Sequence, residues 1–119
     1  MYSSLIFFQF FYPPPIPPAY NFLALLNICL KDEEYGLAVL GFCPKDPSGY
    51  GRLVTDQNGE LIGIIEDHEA SEEQRAIELC NSGAMMVKSD ILFNLLNRLG
   101  PKNSKGEYYL TDIVSLARH

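Results

Sequence analysis

Basic side chains are scarce in this chain. Nine lysines and arginines stand against fifteen aspartates and glutamates, a formal net charge of −6. Nucleic acid is bound through stripes of Lys and Arg that neutralise phosphates, so this balance argues against DNA or RNA as a partner. It disfavours an anionic membrane surface for the same reason. A phosphorylated small molecule stays open, because backbone N–H groups with one or two cations can hold a single phosphate. Histidine and cysteine are scarce too. His68 and His119 lie far apart, and Cys29, Cys43 and Cys80 form an odd set without a CxxC spacing. That argues against a His/Cys zinc site and for reduced, buried thiols in a cytoplasmic protein. The early apolar run at residues 5–11, LIFFQFF, is too short for the roughly 20 residues that span a bilayer. No basic n-region and no small-residue cleavage site precede the prolines, as a signal peptide requires.

What is present suits one small domain. The chain has 119 residues, 47 % of them hydrophobic. A domain of this size buries roughly two thirds of the surface its unfolded chain exposes. Residues 1–20 differ from the rest: the apolar run leads into Pro13, Pro14, Pro15, Pro17 and Pro18. Proline fixes φ and donates no hydrogen bond, so this leader reads as extended or irregular and outside the fold's core. Residues 21–119 form the domain proper. Residues 22–30 suit a short apolar helix with Asn21 as N-cap. Residues 37–42 suit a buried strand. Asp56-Gln57-Asn58-Gly59 between residues 52–54 and 61–65 signals a hairpin, since Asn and Gly both tolerate positive φ. Ser71 and Gln74 fit a capping box opening a helix to about Leu79. Residues 83–87 read as a strand. Ser89 caps a helix carrying Ile91, Leu92, Leu95, Leu96 and Leu99, stopped by Gly100-Pro101. Leu110, Ile113, Val114 and Ala117 continue a helical spacing. Strands alternating with helices define an α/β or α+β class.

Three motifs carry a resemblance. The first is Asp46-Pro47-Ser48-Gly49-Tyr50-Gly51-Arg52. The second is Gly63-Ile64-Ile65-Glu66, followed by Ala70-Ser71-Glu72-Glu73-Gln74-Arg75-Ala76-Ile77 and Asn81-Ser82-Gly83. The third is Gly106-Glu107-Tyr108-Tyr109-Leu110-Thr111-Asp112-Ile113. In this order and spacing the stretch from about Leu37 to Ala117 resembles the pyrophosphorylase domain of bacterial N-acetylglucosamine-1-phosphate uridyltransferase. The resemblance implies a fragment of a Rossmann-like sugar nucleotidyltransferase fold, a mixed sheet with a hairpin from about Arg52 to Ile65 and covering helices. The family joins a sugar-1-phosphate to UTP, with Mg²⁺ and basic side chains neutralising charge during in-line attack, and so supplies UDP-N-acetylglucosamine for peptidoglycan and the cell wall.

By the same resemblance five residues bind substrate. Gly51 offers a backbone N–H with nothing projecting from its Cα. Glu66 accepts from sugar hydroxyls. Asn81 both donates and accepts. Tyr109 and Thr111 line the N-acetyl pocket. Glu107 and Asp112 are expected to order the loop or cap the helix. The departures are equally specific. Where the family has Lys and then Asp after its glutamate, this sequence has Asp67, His68 and Glu69, so the cation there is at best an imidazole. The Gly-rich loop that cradles UTP phosphates has no counterpart, and Tyr12-Pro13-Pro14-Pro15-Ile16 stands near the family's metal-binding aspartate without a carboxylate. The second metal ligand lies beyond Ala117, and the β-helix domain of the bifunctional enzyme is missing.

No catalytic residue and no metal or other cofactor is therefore expected in this chain, although the full family enzyme uses Mg²⁺. Weak sugar-1-phosphate binding is expected, without turnover. A non-catalytic binding or interaction module, or a degraded remnant of the enzyme, is the alternative. Sheet edges left open by missing strands imply a homodimer or larger closed oligomer, with the leader or that edge buried; the leader, β-prone, uncharged and proline-free up to Pro13, is suited to add as a strand to that edge.

Overall fold

The structure, a computed structural model, describes residues 4–11, 35–101 and 103–118; the helix expected at residues 22–30 lies outside them. Five strands form one sheet: β1 (Ser4–Phe11), β2 (Tyr35–Cys43), β3 (Arg52–Thr55), β4 (Leu61–Ile65) and β5 (Cys80–Val87), in the order β1-β2-β5-β3-β4. β1 runs parallel to β2, and the other pairings are antiparallel. Among the described residues three short α-helices accompany them: α1 (Glu72–Arg75), α2 (Ser89–Asn97) and α3 (Ile113–Arg118). The fold is α/β. The apolar leader, expected outside the core, contributes the sheet's edge strand, because an uncharged, proline-free run supplies the backbone pairing that β2 requires on that side.

β2 is the centre of the core. Its run of apolar residues is buried on both faces, as the sequence of a central strand demands. Leu37 and Val39 face a cluster of Leu53, Leu61, Ile64, Ile91, Leu95, Ile113, Val114 and Ala117. Ala38 and Leu40 face the other way, toward Ala84 and Met86. The helices reach the first cluster through period-3.6 stripes, Ile91 and Leu95 on α2 and Ile113, Val114 and Ala117 on α3.

The hairpin forms with Arg52 opposite Ile65 and Leu53 opposite Ile64. Its register steps from Val54↔Gly63 to Thr55↔Leu61, so Ile62 is the extra residue of a bulge. That bulge explains why Leu61 and Ile64, three apart, are both buried. Of the Asn-Gly pair that signals the hairpin, only the glycine takes a positive φ. Among the described residues only glycines have positive φ, and here that is Gly59 at 78°. Asp56 also closes the turn, its Oδ1 accepting from the amides of Asn58 at 2.9 Å and Glu60 at 3.0 Å.

Other boundaries shift for identifiable reasons. The capping box forms as read: Gln74 N–H donates to Ser71 Oγ at 3.2 Å, and Ser71 N–H donates to Gln74 Oε1 at 2.9 Å. The helix nevertheless stops at Arg75, short of Leu79, because Leu79 is drawn to the sheet, where its carbonyl accepts from Leu53 N–H at 3.0 Å. For the same reason β5 begins at Cys80 rather than Gly83: Asn81 N–H donates to the Gly51 carbonyl at 2.8 Å. The N-cap of α2 is Lys88 and not Ser89, since the Lys88 carbonyl already accepts from Ile91 at 3.2 Å and Leu92 at 3.0 Å. α2 ends at Asn97, ahead of Gly100-Pro101. The expected last helix opens as a tighter 3₁₀ turn, Leu110–Asp112, before α3.

Candidate functional site

The site grows from the end of the hairpin. β4 delivers Glu66 just past Ile65, and the pairing of Arg52 with Ile65 sets Gly51 beside it. A Cβ at Gly51 would stand 3.2 Å from Ile64 Cγ2, 3.5 Å from Glu66 Oε2 and 3.6 Å from the Ile65 carbonyl. Glycine is required here by space, not by φ, and one carboxylate oxygen of Glu66 faces the gap it leaves. The other oxygen is held from the opposite side: Thr111 Oγ1 donates to Glu66 Oε1 at 3.0 Å, across 45 residues of sequence. The 3₁₀ turn Leu110–Asp112 makes that reach, since it presents Thr111 while its neighbour Ile113 is anchored in the core.

Tyr109, just ahead of that turn, closes one side. Its hydroxyl lies 2.8 Å from His68 Nε2, and the two rings meet edge to face at 6.0 Å. His68 thus occupies the rim through Tyr109, while its Nε2 is also 3.4 Å from Glu69 Oε1. Between these walls is a cleft of about 100 Å³ lined by Ile64, Ile65, Glu66, Glu69, Asn103, Tyr109 and Asp112. Of the expected site residues Glu66 and Tyr109 line this cleft, while Gly51 and Thr111 join it through Glu66. Asn81 joins only through backbone: its N–H bonds the Gly51 carbonyl. Its side-chain oxygen accepts from Gly83 N–H at 3.0 Å, in a local turn that Gly83's φ of 90° permits. Asn81 does not line the cleft.

Two lining residues carry no motif signal. Glu69 sits on the 3₁₀ turn Asp67–Glu69 and fastens the 103–107 loop, accepting from Ser104 N–H at 2.8 Å and from the Ser104 hydroxyl. Asn103 orders that loop from within, its Oδ1 accepting from Lys105 and Glu107 amides at 3.1 Å each and its Nδ2 donating to the Glu107 carbonyl. Glu107 thus belongs to the loop, as its sequence position suggested.

Charge in the cleft is uneven. The Ser104 hydroxyl and amide hold the Glu69 carboxyl below the usual glutamate range. Burial, and then the nearby charge of Glu66, push the Asp112 carboxyl above its ordinary value. Burial and the surrounding carboxylates raise the Tyr109 phenol. The cleft therefore favours a ligand that donates hydrogen bonds. Among the described residues no three His, Cys, Asp or Glu side chains stand together as a metal site. Among the described residues no helix is long and apolar enough to cross a membrane.

Glu66 and Tyr109 thus line a small cleft at the hairpin's end, with Thr111 fixing the Glu66 carboxylate. No family model matches the chain. Curated relatives are nevertheless plain. It is 52 % identical over 82 residues to the bifunctional protein GlmU of Maricaulis maris, covering 69 % of this chain and 18 % of that protein. It is 56 % identical over 89 residues to the same-named protein of Rhodospirillum rubrum (75 % and 20 %), and 49 % identical over 104 residues to that of Hyphomonas neptunium (87 % and 22 %). Over the segment it shares with them, the chain belongs to the bifunctional GlmU family. It spans about a fifth of the length of these relatives.

Proposed function

We propose that this chain is the sugar-1-phosphate-binding part of a Rossmann-like nucleotidyltransferase domain of the UDP-N-acetylglucosamine pyrophosphorylase type, drawn from the C-terminal portion of that domain. The observation that carries the reading is the setting of Glu66. One oxygen is fixed by Thr111 at 3.0 Å and the other faces the Gly51 gap, so the carboxylate is held ready for a ligand's hydroxyl groups. Tyr109 supplies an apolar wall with a polar tip beside it. The cleft is smaller than the roughly 300–1,000 Å³ pockets that bury a drug-sized ligand. It suits one ring or an acyl group, with the rest of the ligand outside.

By the family resemblance the reaction would be transfer of a uridylyl group from UTP to N-acetylglucosamine-1-phosphate. Residues 1–119 carry the sugar wall of such a site without a phosphate cradle, and positioning plus charge neutralisation is most of what this chemistry needs. The purified polypeptide is therefore a binder and not a catalyst. Its setting is the cytoplasm. Each remaining hydrogen bond replaces one that water also makes and contributes only about 1 kcal/mol net. Binding of N-acetylglucosamine-1-phosphate is expected in the millimolar range at best, weakened further by Glu66→Ala. Calorimetric or NMR titration tests this. Unchanged affinity in Glu66→Ala would remove the reading. So would UDP-sugar formation from UTP, sugar phosphate and Mg²⁺ that scales with chain concentration and survives repurification, for the non-catalytic part.

A further inference from the structure

We infer that Arg52 is the positioning residue of this cleft, its guanidinium tying the Gly51 side to the Glu66 side. The inference rests on the sugar-phosphate reading above. Arg52 is the one charged or polar residue buried among the described residues, 2 % exposed. It lies where β3 is paired on both sides, with Ile65 on β4 and Cys80 on β5. Its Nη1 donates to the Tyr50 carbonyl, and its Nη2 donates to the Arg75 carbonyl at 3.3 Å and meets Asp67 Oδ1 at 3.2 Å.

The identity of these partners carries the argument. Tyr50 immediately precedes Gly51, and Asp67 immediately follows Glu66. One anchor is thus next to the cleft-lining Glu66, and the other is next to the glycine that Glu66 Oε2 faces. Asp67 is gripped twice, since Arg75 Nε also donates to its backbone carbonyl at 3.2 Å. The Arg75 carbonyl that Arg52 holds is the end of α1, so one side chain fixes strand, turn and helix together.

Stability alone is a poor reason for this residue. A buried ion pair is often no better than well-packed apolar side chains, and Arg52 Nε is buried without a hydrogen-bond partner among the described residues. What arginine supplies is a planar fork with fixed donor directions. A lysine would keep the charge but, as a point donor, could not hold Tyr50, Asp67 and Arg75 in one geometry. A binding constellation must be held within about 0.5 Å to be productive. Charge is thus not enough here, and shape is what Arg52 adds.

The test compares the full chain with Arg52→Lys and Asp67→Asn. Thermal midpoints come first, and ¹H–¹⁵N spectra are then titrated with N-acetylglucosamine-1-phosphate well below each midpoint. The expected result is that Arg52→Lys keeps a dispersed spectrum, with Leu53 and Val114 amides near their wild-type positions. Its affinity, read at the Gly51 and Glu66 amides, should fall roughly tenfold or more, the scale of one misplaced charge-assisted bond. Asp67→Asn should show a smaller loss at the same residues. If Arg52→Lys does not fold, Asp67→Asn decides, because Asp67 is one-third exposed and its loss spares the core. Wild-type affinity in the folded variants, with only a lower midpoint, would overturn the inference and leave the cleft's reading intact. A wild-type chain whose Gly51 and Glu66 amides do not respond would overturn the reading itself, and the inference with it.

Discussion

A methyl group at Gly51 would be tight against Ile64 Cγ2 at 3.2 Å and in ordinary contact with the Glu66 carboxylate at 3.5 Å. Overpacking of this kind costs about 1–3 kcal/mol. Gly51→Ala is expected to lower unfolding free energy by about 1 kcal/mol in urea titration and to abolish ligand shifts at Glu66. Asp112 gives a pH test of the same wall. Its folded pKa is raised, chiefly by burial and then by Glu66. The folded state therefore holds that proton more tightly than the unfolded chain does. The favourable contribution is complete below the unfolded value and fades as pH rises through the raised folded one. Asp112→Asn removes the titration, so its stability should exceed wild type more at neutral pH than at pH 3.5. An identical pH profile in wild type and variant would contradict this. At this scale the closeness of Gly51, Glu66 and Thr111 has a sequence signal, since each falls in an ordered motif. Glu69 and Asn103 have none. They meet only because the 103–107 loop folds back 35 residues to Glu69, and no local pattern encodes that.

At the scale of elements, the hairpin and the capping box were legible because each is specified by residues within a few positions. Within the hairpin's turn Gly59 takes the positive φ, and the side chain of Asp56 adds bonds to the Asn58 and Glu60 amides. The Glu60 amide, followed by that of Asn58 and the charge of Arg118, holds the Asp56 carboxyl below its ordinary value. Here the sign is opposite to Asp112. The stabilisation is present above the unfolded value of about 3.9 and is lost as pH falls through the lower folded value. Asp56→Ala should flatten the acid limb of the stability profile, read by thermal melts between pH 2.5 and 6. Arg118, which spans Asp56 Oδ2, Glu60 Oε2 and the Leu61 carbonyl at 3.3–3.4 Å, should lose order with it. Ser71→Ala removes half of the capping box and should cost about 1 kcal/mol. Its effect should stay local, raising amide exchange at Gln74 and Arg75, because α1 buries no residue. Helix lengths were less legible. α1 is cut short by a sheet bond at Leu79, a tertiary demand that outranks local propensity.

For the whole molecule, the α/β class followed from alternating strands and helices, and the leader's β-prone, uncharged run pointed to a strand added at an open sheet edge. β1 pairs with β2 over eight positions, a long-range choice that composition alone leaves open. With β1 in place, the edge that motivated self-association moves to the outer side of β1, an uncharged strand. A homodimer or larger closed oligomer is the expected outcome, checked by light scattering across micromolar to millimolar chain. A monomer throughout would count against it. The account turns most directly on one ligand map. Residues 1–119, labelled with ¹⁵N, are titrated with N-acetylglucosamine-1-phosphate to tens of millimolar. Saturating shifts are expected at Gly51, Glu66, Asn81, Tyr109 and Thr111, absent in Glu66→Ala. Shifts that fall elsewhere, or that persist unchanged in Glu66→Ala, would contradict the account.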